Sequence, residues 1–435
     1  MTENRAPASP LDISNVYFGS IYDPTMHLLF RMDGKIDEDR MNNAVMLALE
    51  SNPYLSSRYM EDGRNAYWER LSKEHWNDAF ETIVKGKEIN QVPPLIPPCS
   101  IDIYHGIPFR VKLNRTEGTG DRITFSMHHG CADARGLMDA ASFVLSIYRN
   151  LFKDPDYRPK TEGWYDRYTR KILEQFTGEE IDEATTRENR ITDRWSFPYE
   201  YRGRGEPVIA IRRFPADRLE SIQKFGREHG ATVNDVIIAA NIMAMLKIRN
   251  DPLDRDSIRG ILTSADIRRH LNNPQGYSIE NLSVAYMVEI CTTGVADMIT
   301  AVERVAGITR EKKSGLLGLG DVKFHEDLSK EGLPAIRNFF REIHAGYDNT
   351  FLKNPVFSNV GIIDKRNFDP GVGKDRSPLS ITDALFLPVM CRPPGFLMTV
   401  STWKHTLSLA CGYEEGPYSG TKIEEFLGFM DEYLP

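Results

Sequence analysis

Helix-like and strand-like patterns of hydrophobic residues alternate along the whole chain. A helix is predicted over 38–50, because apolar residues recur there at the spacing of one buried helix face: Met41, Ala44, Val45, Ala48 and Leu49. Asp37 is expected to cap its N-terminus. A second amphipathic helix is predicted over 137–148. Thr232 and Asp235 form a capping-box pattern before a third, over 236–246, which is apolar nearly all round and should be fully buried.

Strands are predicted between these helices, at 26–32, 108–113, 123–128, 261–267 and 282–290. The segments 397–402 and 406–411 alternate as a hairpin. A closing helix follows, for which Thr421 and Glu424 are the expected caps. Interleaved elements of this kind favour a layered α/β or α+β fold over a helical bundle.

The chain of 435 residues is long enough for about two domains. Residues 177–206 are the most charged stretch, and their charges are interpreted as a solvated face. We therefore expect an N-terminal lobe over 1–180, a crossover linker over 181–206 and a C-terminal lobe over 207–435. The proline-rich segment 92–98 is predicted to be a surface loop, and 272–276 a turn.

Composition excludes several classes of function. The net charge is −8 and no Lys/Arg-rich block occurs, so nucleic acid is not expected as a partner. The polar N-terminus and the short apolar runs predict neither a signal peptide nor integral membrane contact. Five scattered cysteines without a CxxC pair indicate reduced thiols and a cytoplasmic protein. The sequons at Asn114 and Asn281 are then not expected to be glycosylated.

The run 127–136, MHHGCADARG, contains the most informative chemistry. A histidine pair, His128 and His129, ends the strand predicted over 123–128, and Asp133 follows four residues later. Continuing the strand alternation would put His129 on the core-facing side, where its ring would lose water and require a partner. Such a ring is a candidate base with a pKa near neutrality.

This run resembles the HHxxxDG signature of the condensation-domain and CoA-dependent acyltransferase superfamily. Ala134 stands where that signature usually has glycine, and a glycine follows at Gly136. The resemblance implies two chloramphenicol acetyltransferase-like lobes that form a pseudo-dimer, with a tunnel between them and the motif at its middle. Two later segments also resemble the superfamily: 265–268 its aspartate-x-arginine segment, and 357–361 a strand that lines the tunnel.

The resemblance also implies roles for individual residues. His129 would be the general base. Asp133 would turn away from it and pair with Arg268, or with Arg269 as the alternative, so that His128, Asp133, Arg268 and Gly136 support the site structurally. Ser358 and Asn359 would donate hydrogen bonds to the oxyanion or the acceptor, and Gly361 would allow close backbone approach. An ordinary strand edge is the alternative interpretation of these three.

The function implied is acyl transfer from a thioester, on CoA or on the phosphopantetheine arm of a carrier protein, to a small-molecule hydroxyl or amine. No tightly bound cofactor is expected. Two other hypotheses remain open: a binding or scaffold module that keeps the fold without turnover, and a condensation partner active only within a multi-enzyme assembly. Ala134 keeps the scaffold hypothesis open, whereas His129 and Asp133 favour an enzyme.

Two other chemistries fit the same run less well. His128, His129, Cys131 and Asp133 are metal-capable, but adjacent strand residues point to opposite faces, so the two histidines are not expected to share a zinc ion. Cys131 could be a nucleophile beside His129, yet the sequence identifies no third group for such a dyad. We therefore predict no metal site.

Overall fold

The computed structural model describes residues 4–85, 100–188, 191–271 and 278–435. The predicted loop 92–98 and turn 272–276 lie outside these ranges. The helices are α1 (Pro10–Tyr17), α2 (Glu38–Ser51), α3 (Ala134–Lys153), α4 (Arg170–Leu173), α5 (Gly178–Arg187), α6 (Ala216–Glu228), α7 (Val233–Arg249), α8 (Met298–Ser314), α9 (Leu319–Lys330), α10 (Leu333–Thr350) and α11 (Gly420–Tyr433).

The strands of the described residues form three sheets. Their bounds are β1 (Arg5–Pro7), β2 (Tyr22–Asp23), β3 (Thr25–Met32), β4 (Ser57–Asp62), β5 (Asn65–Arg70), β6 (Phe80–Lys85), β7 (Phe109–Thr116), β8 (Arg122–His128), β9 (Glu206–Phe214), β10 (Ile258–Asp266), β11 (Ser283–Cys291), β12 (Val356–Ile362), β13 (Ile381–Leu387), β14 (Met390–Cys391), β15 (Leu397–Trp403) and β16 (Thr406–Glu415). The predicted strands and the hairpin are confirmed within a few residues.

A five-stranded sheet carries the histidine pair, in the order β13-β3-β8-β7-β6. Strands β3 and β8 are antiparallel, with Met26 opposite Met127. Helices α2 and α3 pack together against this sheet, as their apolar faces predict. The Asp37 side chain accepts a hydrogen bond from the Arg40 N–H at 3.1 Å, so the predicted cap of α2 is confirmed.

Strand β13 departs from the expected division of the chain. The boundary at 181–206 would place it in the C-terminal lobe, but it pairs antiparallel with β3, with Leu385 opposite Leu29. Without β13, β3 would be an edge strand whose backbone groups lack partners, although most of its residues are buried. Strand pairing therefore places β13, from near the end of the chain, in the first sheet. The alternation of polar and apolar residues within one strand cannot predict which strand it pairs with.

An eight-stranded sheet forms the other large layer, in the order β11-β10-β12-β15-β16-β14-β2, with β9 also paired to β16. Strands β10, β12 and β15 are parallel neighbours. Helix α7 begins with the predicted capping box of Thr232 and Asp235, and its residues from Asp235 to Met245 are buried. The caps predicted for the closing helix are wrong: α11 begins at Gly420 after Ser419, so Thr421 and Glu424 lie inside it.

The charged crossover is only partly a solvated face. Within it, Glu188 accepts hydrogen bonds from the backbone N–H groups of Gly318 and Asp321, both at 2.7 Å. These groups begin α9, whose first N–H groups have no partner inside the helix. Glu188 therefore caps a helix far along the chain, so the interpretation of this residue as solvated was wrong.

No single helix of the described residues is long and apolar enough to cross a membrane. The bent pair α6 and α7 reaches that length and composition only when the two helices are taken together.

Replacing Glu188 tests its role as a distant cap. Glu188→Ala should lower the free energy of unfolding by about 1–2 kcal/mol, because two N–H donors of α9 lose their acceptor. Denaturant titration measures this difference. Glu183→Ala is the matched control, since Glu183 is exposed and pairs with Arg187 one turn away, and it should change stability by less than about 0.5 kcal/mol. Equal effects of the two substitutions would contradict the assignment.

Candidate active site

The loop from His129 to Asp133 joins the end of β8 to the start of α3. Asp133 is the N-cap of α3, and its Oδ1 accepts a hydrogen bond from the Gly136 N–H at 2.9 Å. Ala134 is the first residue of the helix and does not have a positive φ. Alanine therefore fits the backbone at the position where the superfamily signature has glycine.

Asp133 and Arg268 form a buried, two-pronged ion pair. Arg268 Nη1 donates to Asp133 Oδ2 at 2.8 Å and Nη2 donates to Oδ1 at 3.1 Å. The N–H of Leu282 also donates to Oδ2 at 2.8 Å. Burial alone would raise the pKa of Asp133, but Arg268 and the backbone donors hold it below its ordinary value. The carboxylate is thus occupied by structural contacts with Arg268, Gly136 and Leu282.

Gly136 allows the segment around Glu280 to approach the start of α3. A Cβ at Gly136 would lie 2.7 Å from the Ala132 Cβ and 3.1 Å from the Glu280 backbone nitrogen. In this arrangement the Glu280 carbonyl accepts from the Asp133 N–H at 3.3 Å and from Arg268 Nη2 at 3.0 Å. The glycine is therefore required by close approach of two chain segments.

His128 is buried and turned back onto the loop. Its Nδ1 accepts a hydrogen bond from the Gly130 N–H at 2.9 Å. Burial lowers the pKa of His128 to about 3, so the ring is neutral at physiological pH. With Nδ1 accepting, the proton of the neutral ring is on Nε2. These contacts give His128 a structural place behind the loop.

His129 follows the last residue of β8, so the alternation of the strand does not extend to it. Its ring is half-buried and lines a cavity together with Met26. Burial lowers the pKa of His129, and the carbonyl of the same residue, Asp133 and Asn281 act against that shift. The expected partner of the buried ring is missing: Nδ1 makes no hydrogen bond of ordinary geometry to any described residue.

The cavity has a volume of about 330 Å³ and lies between the two large sheets. From the first sheet and α3 come His129, Asp133 and Arg135. The second sheet contributes, among others, Ser264, Ser283, Thr399 and the run from Ser358 to Ile362. Apolar side chains complete the wall: Met26, Met138, Phe386, Val389 and Leu397. His129 therefore shares one cavity with all three residues predicted from 357–361.

The structure changes the expected roles of Asn359 and Gly361. Asn359 Nδ2 donates to Asn234 Oδ1 at 3.1 Å, and its Oδ1 accepts from the Gly361 N–H at 2.9 Å. The amide of Asn359 is therefore largely engaged in hydrogen bonds within the protein. Ser358, which is half-buried, is the simpler candidate to donate a hydrogen bond to the oxyanion or the acceptor. Gly361 has a φ of 81° at a bulge in β12, whereas an added Cβ would meet no atom within 4 Å. The glycine is needed for this backbone conformation, and close approach of a substrate to its backbone stays a prediction.

Three residues that sequence reasoning missed hold the other side of the motif loop. Arg167 is fully buried, donates to the Cys131 carbonyl and lies 3.5 Å from Asp12 Oδ2. Asn281 Nδ2 donates to Asp12 Oδ1 at 3.0 Å and to the Gly130 carbonyl at 3.1 Å. Asp12 and Arg167 belong to no sequence motif, and Asn281 was identified only as part of a sequon.

The competing chemistries are not favoured by this geometry. Burial raises the pKa of the Cys131 thiol to about 12, so it is not a thiolate near neutral pH. No group of three or more His, Cys, Asp or Glu side chains in the described ranges could hold a metal ion. Cys131, Cys391 and Cys411 are buried and unbridged, and Cys291 is exposed.

Solved structures match this chain over nearly its full length. Three of them have a TM-score of 0.69 and cover 99% of this chain and 95% of their own: trichothecene 15-O-acetyltransferase from Fusarium sporotrichioides at 14% sequence identity, the epimerization domain from the third module of tyrocidine synthetase B at 15%, and the first condensation domain of the CDA synthetase at 13%. The fold is that of the condensation domains. The predicted architecture of two chloramphenicol acetyltransferase-like lobes is thereby confirmed. No family profile and no curated protein matches the chain.

Removing Asp133 tests whether its role is structural. Asp133→Ala should lower the free energy of unfolding by about 3–5 kcal/mol, because the buried Arg268 charge loses its partner. Asp266→Ala is the matched control: Asp266 Oδ1 lies 3.2 Å from the same Arg268 Nη1, but its side chain is 53% exposed, so the loss should stay below about 1 kcal/mol. Wild-type stability in Asp133→Ala would contradict the structural assignment.

Proposed function

We propose that this protein transfers an acyl group from a thioester to a hydroxyl or amine acceptor, with His129 as general base. The supporting observation is the placement of His129 in an interlobe cavity with Ser358, while the neighbouring carboxylate of Asp133 is bound by Arg268. A neutral, half-buried imidazole beside an apolar wall is suited to take a proton from an incoming nucleophile.

The proposed reaction needs no covalent enzyme intermediate. The neutral ring of His129 takes the proton of the acceptor as its oxygen or nitrogen attacks the thioester carbonyl carbon. The negative charge that develops on the carbonyl oxygen can be stabilised by a hydroxyl such as that of Ser358. When the C–S bond breaks, the imidazolium returns the proton to the departing thiolate, and the ring is neutral again.

The donor carries its acyl group on CoA or on the phosphopantetheine arm of a carrier protein, and neither is held tightly between turnovers. The similarity of the fold to domains of peptide synthetases supports a carrier protein as a partner. The similarity to an acetyltransferase supports a small-molecule acceptor. The four cysteines of the described residues are unbridged, which supports the cytoplasm as the proposed compartment.

Thiol release from a panel of donors tests the proposal. Acyl-CoAs and acylated carrier proteins are incubated with alcohol and amine acceptors, and free thiol is followed with a thiol-reactive dye. His129→Gln should reduce acceptor-dependent release by about 10²–10⁴-fold, because the base is lost. His75→Gln is the matched control, since His75 is exposed and its Nδ1 bonds to the Ser72 hydroxyl at the surface. Thiol release unaffected by His129→Gln, or absent with every donor, would contradict the proposal and favour a scaffold.

The pH dependence of the rate provides a separate test. Because burial lowers the pKa of His129 from its ordinary value of 6.5, more than half of the rings are neutral at pH 6.5, and the protonated form predominates only at lower pH. The rate should therefore be constant near neutrality and fall as pH decreases through that lowered pKa. Rates are measured between about pH 5 and pH 8 and corrected for the folded fraction. A rate that falls to half its plateau value at pH 6.5 or above would contradict this.

A further inference from the structure

Asn281 lies at the contact between the two lobes, directly behind the motif loop. It is 1% exposed. Its Nδ2 donates to Asp12 Oδ1 at 3.0 Å and to the Gly130 carbonyl oxygen at 3.1 Å. Both hydrogens of the amide group are therefore used, and one of them binds the residue that follows His129.

These contacts determine which way the amide points. The Asp12 carboxylate and the Gly130 carbonyl are acceptors, so only the NH₂ end of Asn281 can face them. The Oδ1 atom must then point elsewhere. It is buried without a hydrogen-bond partner among the described residues, and so is Nδ1 of His129. A buried polar atom left unpaired costs about 1–3 kcal/mol.

One hydrogen bond would satisfy both atoms. Asn281 is close enough to His129 to favour the protonated form of its ring. Such a bond needs an Nδ1–H on the ring as its donor, because an amide oxygen can only accept. Two other acceptors lie near the ring. Asp133 is already bound by Arg268, Gly136 and Leu282, and the carbonyl of His129 itself makes no hydrogen bond of ordinary geometry to Nδ1.

We propose that Asn281 is the positioning residue for His129: its Oδ1 accepts a hydrogen bond from Nδ1–H and so leaves Nε2 unprotonated toward the cavity. This inference rests on the proposed function. In the other neutral tautomer the proton is on Nε2, and that nitrogen could not take a proton from an acceptor. Asn281 would thus select the form of the ring that can act as a base.

An amide partner suits this task better than a carboxylate. A carboxylate beside Nδ1 would favour the imidazolium and raise the pKa of His129. The neutral amide orients the ring without adding charge. The buried carboxylate of Asp12 lies behind the amide and is paired with Arg167.

The test is a measurement of the His129 tautomer in the substrate-free protein. Protein labelled with ¹⁵N in its histidines gives two-bond ¹H–¹⁵N correlations that distinguish a proton on Nδ1 from one on Nε2, and the signals of His129 are those missing from His129→Gln. The neutral ring of the wild type should carry its proton on Nδ1. In Asn281→Ala a substantial Nε2–H population should appear, and kcat should fall by about 10–100-fold with little change in KM.

Asn354→Ala is the matched control for loss of a buried amide. Asn354 is also 1% exposed, donates to the Thr192 carbonyl at 2.8 Å and accepts from the Arg194 N–H at 3.0 Å. It lies outside the cavity, so its loss should lower stability without changing the tautomer of His129.

The proposal is overturned if neutral His129 of the wild type carries its proton on Nε2, a result that does not depend on any variant folding. It is also overturned if Asn281→Ala keeps the wild-type tautomer and titration curve. Because this measurement uses no donor or acceptor, it remains valid if every thiol-release assay is negative. Failure of the positioning role is thereby distinguished from failure of the proposed acyl transfer.

Discussion

The ion pair between Asp133 and Arg268 is the interaction on which the geometry of the cavity depends. It joins the start of α3 to the segment that follows β10, and so it connects the motif loop to the second large sheet. A pair this deeply buried is costly to desolvate and is tolerated because Gly136, Leu282 and the Glu280 carbonyl satisfy the remaining atoms. The consequence is a loop whose backbone is held from both lobes.

A second set of contacts holds the same loop from the opposite side. Arg167 binds the Cys131 carbonyl and Asn281 binds the Gly130 carbonyl, and both contact Asp12. His128 and His129 directly precede Gly130 and Cys131 in the chain. The bound backbone of the loop holds His128 in the interior, whereas His129 faces the cavity. The loop is thus held in place by charged side chains and an amide that bind its backbone and its capping residue.

Much of this arrangement could be predicted from the sequence, for identifiable reasons. The spacing of apolar residues predicted the helix over 38–50 and the strand over 123–128, because an element that buries one face has apolar residues at a regular interval. The resemblance to the HHxxxDG signature suggested Arg268 as the partner of Asp133, and that contact is present. The crossing of β13, the cap formed by Glu188 and the contacts of Arg167 could not be predicted. Each depends on residues far apart in the chain, and none leaves a local pattern.

The proposed acyl transfer requires that the cavity beside His129 accept the reactive end of an acyl-pantetheine. A crystal structure with a pantetheine amide, which mimics the thioester but cannot be cleaved, tests this most directly. We expect the amide carbonyl to lie within the cavity, with its carbon facing His129 and its oxygen within hydrogen-bond distance of Ser358. The Asp133–Arg268 pair should be undisturbed. An analogue bound elsewhere, with the cavity beside His129 left empty at saturating concentration, would contradict it.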